Sequence, residues 1–363
     1  MKPIKPSLAS LFSFSQTDRV WQLPFFAAMS VGAVLFVGIA CGRIDLALVA
    51  TLGANAFLYV PNTPLYHRMA VTMCCSFGII LSFALGFLAH FLPVSLALLC
   101  VPLLAGGVSA LSSMLVRYYN LPAPGYFFFA MSCVLGTFSP YPASDFVFLV
   151  GVVTLGAFVA NAMALAYSLC VVYGFKNKLP SEIPARGRLG FETIVVESLI
   201  IGVAVGVAVG VGQILGLEKS YWVAISCVAI MQGATLNAVW QRQIQRILGT
   251  FVGMLVMLAL VRIHLSNVEL AFVMMFLMFM GELSVVRNYA LAMVFFTPFT
   301  IYLAEIGHFV AHDAEVVLEA RMLDTIIGSV IGLGGGFMVH NTRLRALFIL
   351  LSRRALRKFR RWW

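Results

Sequence analysis

Apolar residues follow one another in long runs along most of this chain, and short polar patches separate the runs. Twelve apolar segments can be drawn, at residues 23–41, 45–60, 69–90, 93–115, 122–140, 145–174, 192–216, 221–234, 244–264, 268–283, 288–306 and 320–340. A bilayer core about 30 Å thick requires about 20 apolar residues in a spanning helix. The pattern therefore predicts an all-α membrane protein with about twelve transmembrane helices.

Two of these segments are short and end in polar, turn-like patches. The second segment ends at residues 61–64, which read Pro-Asn-Thr-Pro, and the eighth ends at residues 235–237, which read Thr-Leu-Asn. Proline and asparagine in such patches favour a turn over a continuing helix. We therefore expect the second and eighth helices to be incomplete or interrupted spans.

The composition agrees with lipid as the solvent for most of the chain. Of the 363 residues, 61% are hydrophobic and only 10% are charged, whereas soluble domains carry about 25% charged residues. Nearly all of the seven cysteines lie in apolar runs, and none shows a Cys-x-x-Cys spacing. We interpret them as packing residues and expect no metal site and no cofactor.

Motifs of the common catalytic classes are missing from the sequence. It contains no His-Glu-x-x-His pair, no phosphate-binding loop of the Gly-x4-Gly-Lys-Ser/Thr type and no Gly-x-Ser-x-Gly nucleophile elbow. We therefore expect that the protein is not an enzyme. A transport step would draw its energy from a gradient or from another chain.

The basic residues divide unevenly between the two faces that the twelve segments define. Arg43, Lys219, Arg262 and Arg321 fall on one side, and the other 20 of the 24 Lys and Arg residues fall on the opposite side. Basic loops stay in the cytoplasm. We therefore predict three cytoplasmic parts, the N-terminal segment 1–22, the linker 175–191 and the tail 341–363, with both termini inside.

The tail alternates basic residues with Leu, Phe and Trp. Five apolar residues fall on one helical face of it: Leu344, Leu347, Phe348, Leu351 and Ala355. This is typical of an amphipathic helix that lies on the anionic cytoplasmic leaflet, so membrane lipids are an expected partner. Nucleic acid is not, because no basic stripe with interleaved aromatics occurs outside the tail.

The two halves of the chain, 23–174 and 192–340, repeat each other. The matching motifs are Arg68-x-x-x-Thr72 and Arg246-x-x-x-Thr250, Arg117-Tyr118-Tyr119-Asn120 and Arg287-Asn288-Tyr289, and the small-residue stripes that begin at Gly156 and at Gly328. Because each half holds six segments, both halves face the same way. The pattern predicts two parallel six-helix repeats related by an axis along the membrane normal.

Ionisable residues inside the membrane are costly, so each is a candidate for function. The carboxylates are Glu197 in the seventh segment, Glu282 at the end of the tenth and Asp324 in the twelfth, one turn after Arg321. A carboxylate here could take up and release a proton during transport, and an arginine could contact a substrate anion. The alternative is a satisfied ion pair or an interfacial group.

A stretch of the second half carries a family resemblance. It consists of Ser220-Tyr221-Trp222-Val223, then residues 231–236 (Met-Gln-Gly-Ala-Thr-Leu), then residues 245–253 (Gln-Arg-Ile-Leu-Gly-Thr-Phe-Val-Gly). It resembles the fusaric acid resistance (FUSC) family, also described as aromatic acid exporters. The first half carries a degraded copy in which Arg68 and Thr72 remain, while Ala70 and Val71 replace the Leu248-Gly249 pair.

The resemblance implies a bacterial inner-membrane exporter of aromatic or other weak organic acids. Some relatives work with a periplasmic adaptor protein, which makes an adaptor an expected partner. Plant malate channels share the same membrane module, so a passive organic-anion channel is an alternative. A non-transporting membrane scaffold of an envelope complex is a second alternative. The sequence is also compatible with a homo-oligomer.

The expected substrate contacts are basic and polar residues at the inner ends of helices. An arginine fork suits a carboxylate, and a nearby aromatic ring can stack on the substrate. The alternative role of the arginines is topology determination and lipid headgroup binding. The tentative substrate-binding set is Arg246, Thr250, Arg68, Thr72, Arg242, Arg117, Arg287, Trp222 and Gln232.

The predicted topology can be tested by cysteine labelling. In a cysteine-free background, Lys178→Cys and Arg353→Cys are both expected to react with a membrane-impermeant maleimide in inside-out vesicles, because both belong to cytoplasmic parts. Lys219→Cys, on the opposite face, serves as the control and is expected to react in spheroplasts. Labelling of positions 178 and 353 from opposite faces would contradict the topology.

Overall fold

A computed structural model describes residues 14–347 and residue 350, except for residues 16, 18, 122, 175–181, 184–189, 218, 264 and 306–313. Most of the predicted segment 1–22, of the linker 175–191 and of the tail 341–363 therefore lies outside the described residues. The part of the tail that is described is helical at residues 342–347, where the Asn341 side chain accepts a hydrogen bond from the Arg343 amide.

Twelve α-helices lie in the described residues between 22 and 340, which contain no strand. They are α1 Gln22–Ala40, α2 Ile44–Ala54, α3 Leu65–Phe87, α4 Val94–Tyr118, α5 Phe127–Thr137, α6 Phe146–Leu169, α7 Phe191–Ile214, α8 Tyr221–Met231, α9 Leu236–Val261, α10 Asn267–Val285, α11 Tyr289–Glu305 and α12 Ala314–His340. Each predicted segment overlaps one helix. The predicted all-helical class is confirmed.

Eight of these helices are long and apolar enough to cross a membrane. The chain is therefore a multi-pass membrane protein, while the count of twelve spans stays a prediction. The shorter helices are α2, which continues as a 3-10 helix to Tyr59, and α5, α8 and α11. The prediction that the second and eighth helices are short is confirmed, and the shortness of the fifth and eleventh was missed.

Two predicted helix starts in the second half were wrong. Helix α9 begins at Leu236 rather than at residue 244, because the Thr235 hydroxyl accepts a hydrogen bond from the Ala238 amide (3.2 Å) and caps the helix. Helix α12 begins at Ala314 rather than at residue 320. Arg321 consequently lies two turns inside α12 and is buried, instead of standing at its start.

Helix α8 lies at the centre of the molecule. All eleven of its residues are buried, and it packs against α5, α7, α9 and α12. Large apolar side chains on the outer helices, among them Phe77, Leu103 and Phe158, are instead exposed. This distribution suits a protein whose periphery is covered by lipid rather than by water.

The helix pairs of the first half have counterparts in the second. Helix α3 packs on α5 and α6, as α9 packs on α11 and α12, and α2 packs on α6, as α8 packs on α12. Between the halves, α4 packs on α7 and α10 packs on α1. This is the set of pairs that a two-fold repeat would produce, and the repeat itself stays a prediction.

The seam between α4 and α7 depends on small residues. A Cβ atom on Gly202 would lie 2.6 Å from the carbonyl oxygen of Gly106, and one on Gly206 would lie 2.9 Å from that of Pro102. Side chains at these positions would separate the backbones. Such close approach strengthens helix contacts in lipid, where no hydrophobic effect drives association.

Candidate functional site

A cavity of about 430 Å³, called here the second-half cavity, is lined mainly by residues of the second half of the chain and in smaller part by residues of the first half. Helices α8, α9, α10 and α11 supply most of its lining. The rest comes from α12, from α5 and the turn before it, from the 3-10 helix that follows α2, and from the segment before α1. Its lining residues include Arg19, Asn55, Pro124, Phe127, Phe128, Trp222, Gln232, Arg242, Arg246, Glu282, Tyr289, Met293, Phe296, Phe299, Thr300 and Arg321. On α11 the lining runs from Tyr289 to Leu303, about 21 Å at 1.5 Å per residue.

Arg246 lies on the α9 wall and is 3% exposed. Its Nη1 donates to the Tyr289 hydroxyl (3.0 Å) and its Nη2 donates to the Ser226 hydroxyl (3.1 Å). Arg242 lies one turn earlier on the same face of α9, with its guanidinium 5.1 Å from the centre of the Tyr289 ring. The groups that hold the two arginines are neutral, so both positive charges act on the cavity.

Arg19 brings the segment before α1 to the cavity. Its Nη2 forms a salt bridge with the Glu282 carboxylate (2.7 Å), and its Nη1 donates to the Glu282 carbonyl oxygen (3.2 Å). The Ser15 amide also donates to the carbonyl oxygen of Arg287 (2.9 Å), just beyond the end of α10. Glu282 therefore neutralises Arg19 and anchors the N-terminal segment.

Arg321 lies at the opposite end of the cavity and is 2% exposed. Its guanidinium carbon lies 3.0 Å from the centre of the Trp222 ring, and its Nη2 donates to the Thr300 hydroxyl (3.0 Å). The lining thus holds four arginines and, among the described residues, one carboxylate. Arg242 and Arg246, whose contacts are neutral, place two positive charges beside a largely apolar space.

The remaining wall is mainly aromatic. Phe127, Phe128, Phe296 and Phe299 line the cavity together with Tyr289. Flat apolar surfaces beside positive charges match a ligand with a ring and an anionic group, because the ring stacks and the anion pairs.

Gln232 helps to position the turn that enters α5. Its Nε2 donates to the carbonyl oxygen of Pro124 (3.2 Å), and the Tyr59 hydroxyl donates to the carbonyl oxygen of Gly125 (2.7 Å). These bonds hold the first-half turn against the second-half cavity. Gln232 therefore combines a lining position with a structural contact.

The first-half counterpart of Arg246 has different surroundings. Arg68 is buried and does not line the cavity. Its Nη1 donates to the Ser168 hydroxyl (3.3 Å) and its Nη2 to the Asn62 side chain (3.3 Å), with the Tyr167 ring 5.5 Å away. The Thr72 hydroxyl donates to the Arg68 carbonyl oxygen (2.9 Å), as a hydroxyl in a helix interior commonly does.

Thr250 and Asp324 lie outside the cavity lining and are almost fully buried. Neither the Thr250 hydroxyl nor the Asp324 carboxylate oxygens have a hydrogen-bond partner among the described residues. A buried polar group left in this state costs about 1–3 kcal/mol, and more when charged. Asp324, one turn from Arg321, is therefore a carboxylate that calls for a functional explanation.

Arg117 and Glu197 form a cluster away from the cavity. The Glu197 carboxylate pairs with Arg117 of α4 and with Arg345 of the tail (2.6 Å to Arg345). Glu197 is 5% exposed in its side chain, whereas Arg117 and Arg345 are 23% and 31% exposed. The cluster joins α4, α7 and the tail.

Arg287 is exposed and lines no part of the cavity.

Of the predicted site residues, the cavity thus brings together Arg242, Arg246, Trp222, Gln232 and Glu282. Seven other predicted site residues lie outside its lining: Arg68, Thr72, Thr250, Arg117, Arg287, Glu197 and Asp324.

The sequence reasoning missed Arg19 and Thr300 as lining residues. Arg19 carries no local signal, because its partner lies 263 residues away. The repeated motif Arg287-Asn288-Tyr289 led to the prediction of Arg287 as a substrate contact, whereas Tyr289 of the same motif lines the cavity.

The comparisons with known proteins agree with the second-half motif. A family model described as "Fusaric acid resistance protein-like" matches residues 207–334, which confirms the resemblance read from the sequence. The matched range includes Trp222, Arg242 and Arg246 and every other lining residue on α8 to α12.

Two curated relatives are similar to part of the chain. An uncharacterized membrane protein of Bacillus subtilis, YvaC, is 33% identical over 146 residues, which cover 40% of this chain and 23% of that relative. An uncharacterized protein of Synechocystis is 28% identical over 127 residues, which cover 35% of this chain and 16% of that relative. The chain therefore matches less than a quarter of either relative's length. No solved structure matches it.

The role of the Glu197 cluster can be separated from transport. Glu197→Gln is expected to lower the midpoint of thermal unfolding in detergent, because it leaves Arg117 and Arg345 without their shared carboxylate. Transport per folded molecule is expected to remain. Loss of coupled transport at unchanged thermal stability would instead assign Glu197 the proton-coupling role.

Proposed function

We propose that the protein exports small organic anions, aromatic carboxylic acids above all, across the inner membrane through the second-half cavity, and that an ion gradient drives the step. The family match and the membrane-protein relative support transport or efflux in general terms. The aromatic substrate and the coupling are our inference from the cavity.

The charge of the cavity is the observation that carries the proposal. Arg242, Arg246 and Arg321 line an apolar space inside a helix bundle, and positive charges so placed are costly unless an anion joins them. Hydroxyl groups and aromatic rings hold the three guanidinium groups in place. A bound carboxylate would add a negative charge beside Arg242 and Arg246, whose contacts are neutral.

The ring-binding part of the proposal rests on the walls. Phe127 and Phe128 of α5 and Phe296 and Phe299 of α11 line the cavity. A benzoate-like ring could stack between them while its carboxylate meets Arg246. An aliphatic anion of the same charge would bury less apolar surface and bind more weakly.

The proposed direction follows from the predicted topology. Arg242 and Arg246 lie in the first half of α9, and Glu282 lies near the end of α10. Both helix ends are predicted to be cytoplasmic. An anion from the cytoplasm would meet these residues first. Two parallel six-helix halves that rock against each other would then open the cavity to the other side.

Asp324 is the proposed proton-binding carboxylate. It is fully buried, its oxygens accept no hydrogen bond from the described residues, and Arg321 lies one turn away. A carboxylate in such a place can take up a proton and lose it again as its surroundings change. Proton binding would then be linked to the charge state beside the cavity.

An Arg246 variant tests the proposed substrate contact. Cells that overproduce the protein and are loaded with p-hydroxybenzoate are expected to lose it faster than cells that lack the protein, against a concentration gradient. Arg246→Ala is expected to remove this difference, because one charge-assisted contact is worth about 1.5–3 kcal/mol, or about 10- to 150-fold in affinity. The measurement is the intracellular concentration over time.

Arg262→Ala is the matched control, since Arg262 is exposed just beyond the end of α9 and does not line the cavity. It should leave export unchanged. Flux that only runs down the gradient would replace the exporter with a passive channel. Equal retention of p-hydroxybenzoate in all strains would reject this compound as a substrate. It would favour the alternative of a non-transporting membrane scaffold.

An Asp324 variant tests the proposed proton-binding role. Asp324→Asn keeps the size of the side chain and cannot bind or release a proton in the physiological range. It is expected to abolish gradient-coupled export while the protein still folds, as judged by its elution in detergent and its thermal midpoint. Undiminished export against a gradient would remove Asp324 from the mechanism.

A further inference from the structure

We infer that Tyr289 binds the exported carboxylate through its hydroxyl group and joins Arg242 and Arg246 into one anion site. The inference rests on the proposed function and adds to it a neutral hydrogen-bond donor between two arginines. The sequence motif that contains Tyr289 pointed to Arg287 instead, and Tyr289 was given no role.

Tyr289, the first residue of α11, contacts both arginines. Its ring centre lies 5.1 Å from the guanidinium carbon of Arg242, and its hydroxyl accepts a hydrogen bond from Nη1 of Arg246 (3.0 Å). Arg242 and Arg246 are one turn apart on α9, so their Cβ atoms are about 5–6 Å apart. One phenol group thus bridges two neighbouring guanidinium groups at the cavity wall.

The Tyr289 hydroxyl has a proton to give to a ligand. A phenol hydroxyl both accepts and donates hydrogen bonds. The bond from Arg246 uses it as an acceptor, and no acceptor for its proton is found in the part of the chain that the structure describes. A carboxylate in the cavity would accept this proton in an O–H···O⁻ bond, which is shorter and stronger than a bond between neutral groups.

The charges at this wall favour a bound anion. Like charges four residues apart on a helix repel each other, and the printed contacts of Arg242, with the Tyr289 ring and the Ala229 carbonyl oxygen (3.5 Å), are neutral. The Glu282 carboxylate, which also lines the cavity, pairs with Arg19. A substrate carboxylate beside Tyr289 would therefore reduce the repulsion between the two arginines.

Close packing of α9 on α11 holds the tyrosine and the arginine in place. A Cβ atom on Gly249 of α9 would collide with the carbonyl oxygen of Ala290 of α11. The two backbones therefore pack directly on each other, one residue from Tyr289 and within one turn of Arg246. A site held in this way before the ligand arrives loses little free energy to reorganisation on binding.

The matching position in the first half lacks the second arginine. Four residues before Arg68 the chain has Pro64, whereas four residues before Arg246 it has Arg242. Arg68 donates to a serine hydroxyl and an asparagine side chain. The combination of two arginines and a tyrosine therefore belongs to the cavity and not to the repeated motif as such.

The experiment uses the full-length protein, with benzoate and its neutral analogue benzamide as probes. Tyr289→Phe keeps the ring beside Arg242 and removes the hydroxyl, so calorimetric affinity for benzoate is expected to fall about 10- to 150-fold. Benzamide carries no charge and should lose less, so the preference for benzoate over benzamide falls at least about fivefold. In proteoliposomes, the export rate at saturating benzoate should change less than the affinity.

Tyr302→Phe is the matched control, because Tyr302 lies on the same helix and outside the cavity lining. It should change neither affinity nor rate. Arg242→Gln is expected to weaken benzoate binding, and the double variant Arg242→Gln/Tyr289→Phe should lose less than the product of the two single losses, because both groups bind one carboxylate. If Tyr289→Phe does not fold, O-methyltyrosine at position 289 removes the donor and keeps the acceptor, with weaker benzoate binding expected.

Two results would overturn the inference and leave the exporter standing. One is an unchanged benzoate affinity and an unchanged preference over benzamide in the Tyr289 variants. The other is a lower midpoint of thermal unfolding with unchanged affinity per folded molecule, which would make Tyr289 a structural contact. Absence of benzoate binding and export by the unmodified protein would instead reject the proposed function itself.

Discussion

A guanidinium group that is removed from water inside a membrane protein must be held by neighbouring dipoles or by a negative charge, and the organisation of this molecule depends on how each arginine meets that requirement. Glu197 shares its carboxylate between Arg117 and Arg345, and Glu282 neutralises Arg19. These pairs join distant parts of the chain. Arg242 and Arg246 are held by neutral groups in a cavity, and this difference separates structural arginines from those proposed to bind substrate.

The two halves use the same motif for different ends. Arg68 and Arg246 occupy matching positions, and each is followed four residues later by threonine. Arg68 is enclosed by Ser168, Asn62 and Tyr167, whereas Arg246 faces a cavity of about 430 Å³. The arginine of the well-preserved family motif is thus the one that faces the cavity.

A good part of the site followed from the sequence, because intramembrane charge and an unusual motif are local signals. Arg242, Arg246, Trp222 and Gln232 were predicted to contact substrate, and all four line the cavity. Glu282 also lines it, although its observed salt bridge is with Arg19. The positions of Arg117 and Arg287 away from the cavity could not be predicted, since their charges are equally suited to topology, to ion pairs and to ligands.

The sequence by itself determined the class of the protein, the approximate place of each helix and the shortness of α2 and α8, because apolar length and turn residues act locally. It did not determine where α12 begins, and so misplaced Arg321 at a helix end. Only the tertiary structure decided that Arg19 meets Glu282, that Glu197 binds two arginines, and that Arg321 stacks on Trp222. These contacts join residues far apart in the chain, and they depend on how closely packed helices bring their side chains together.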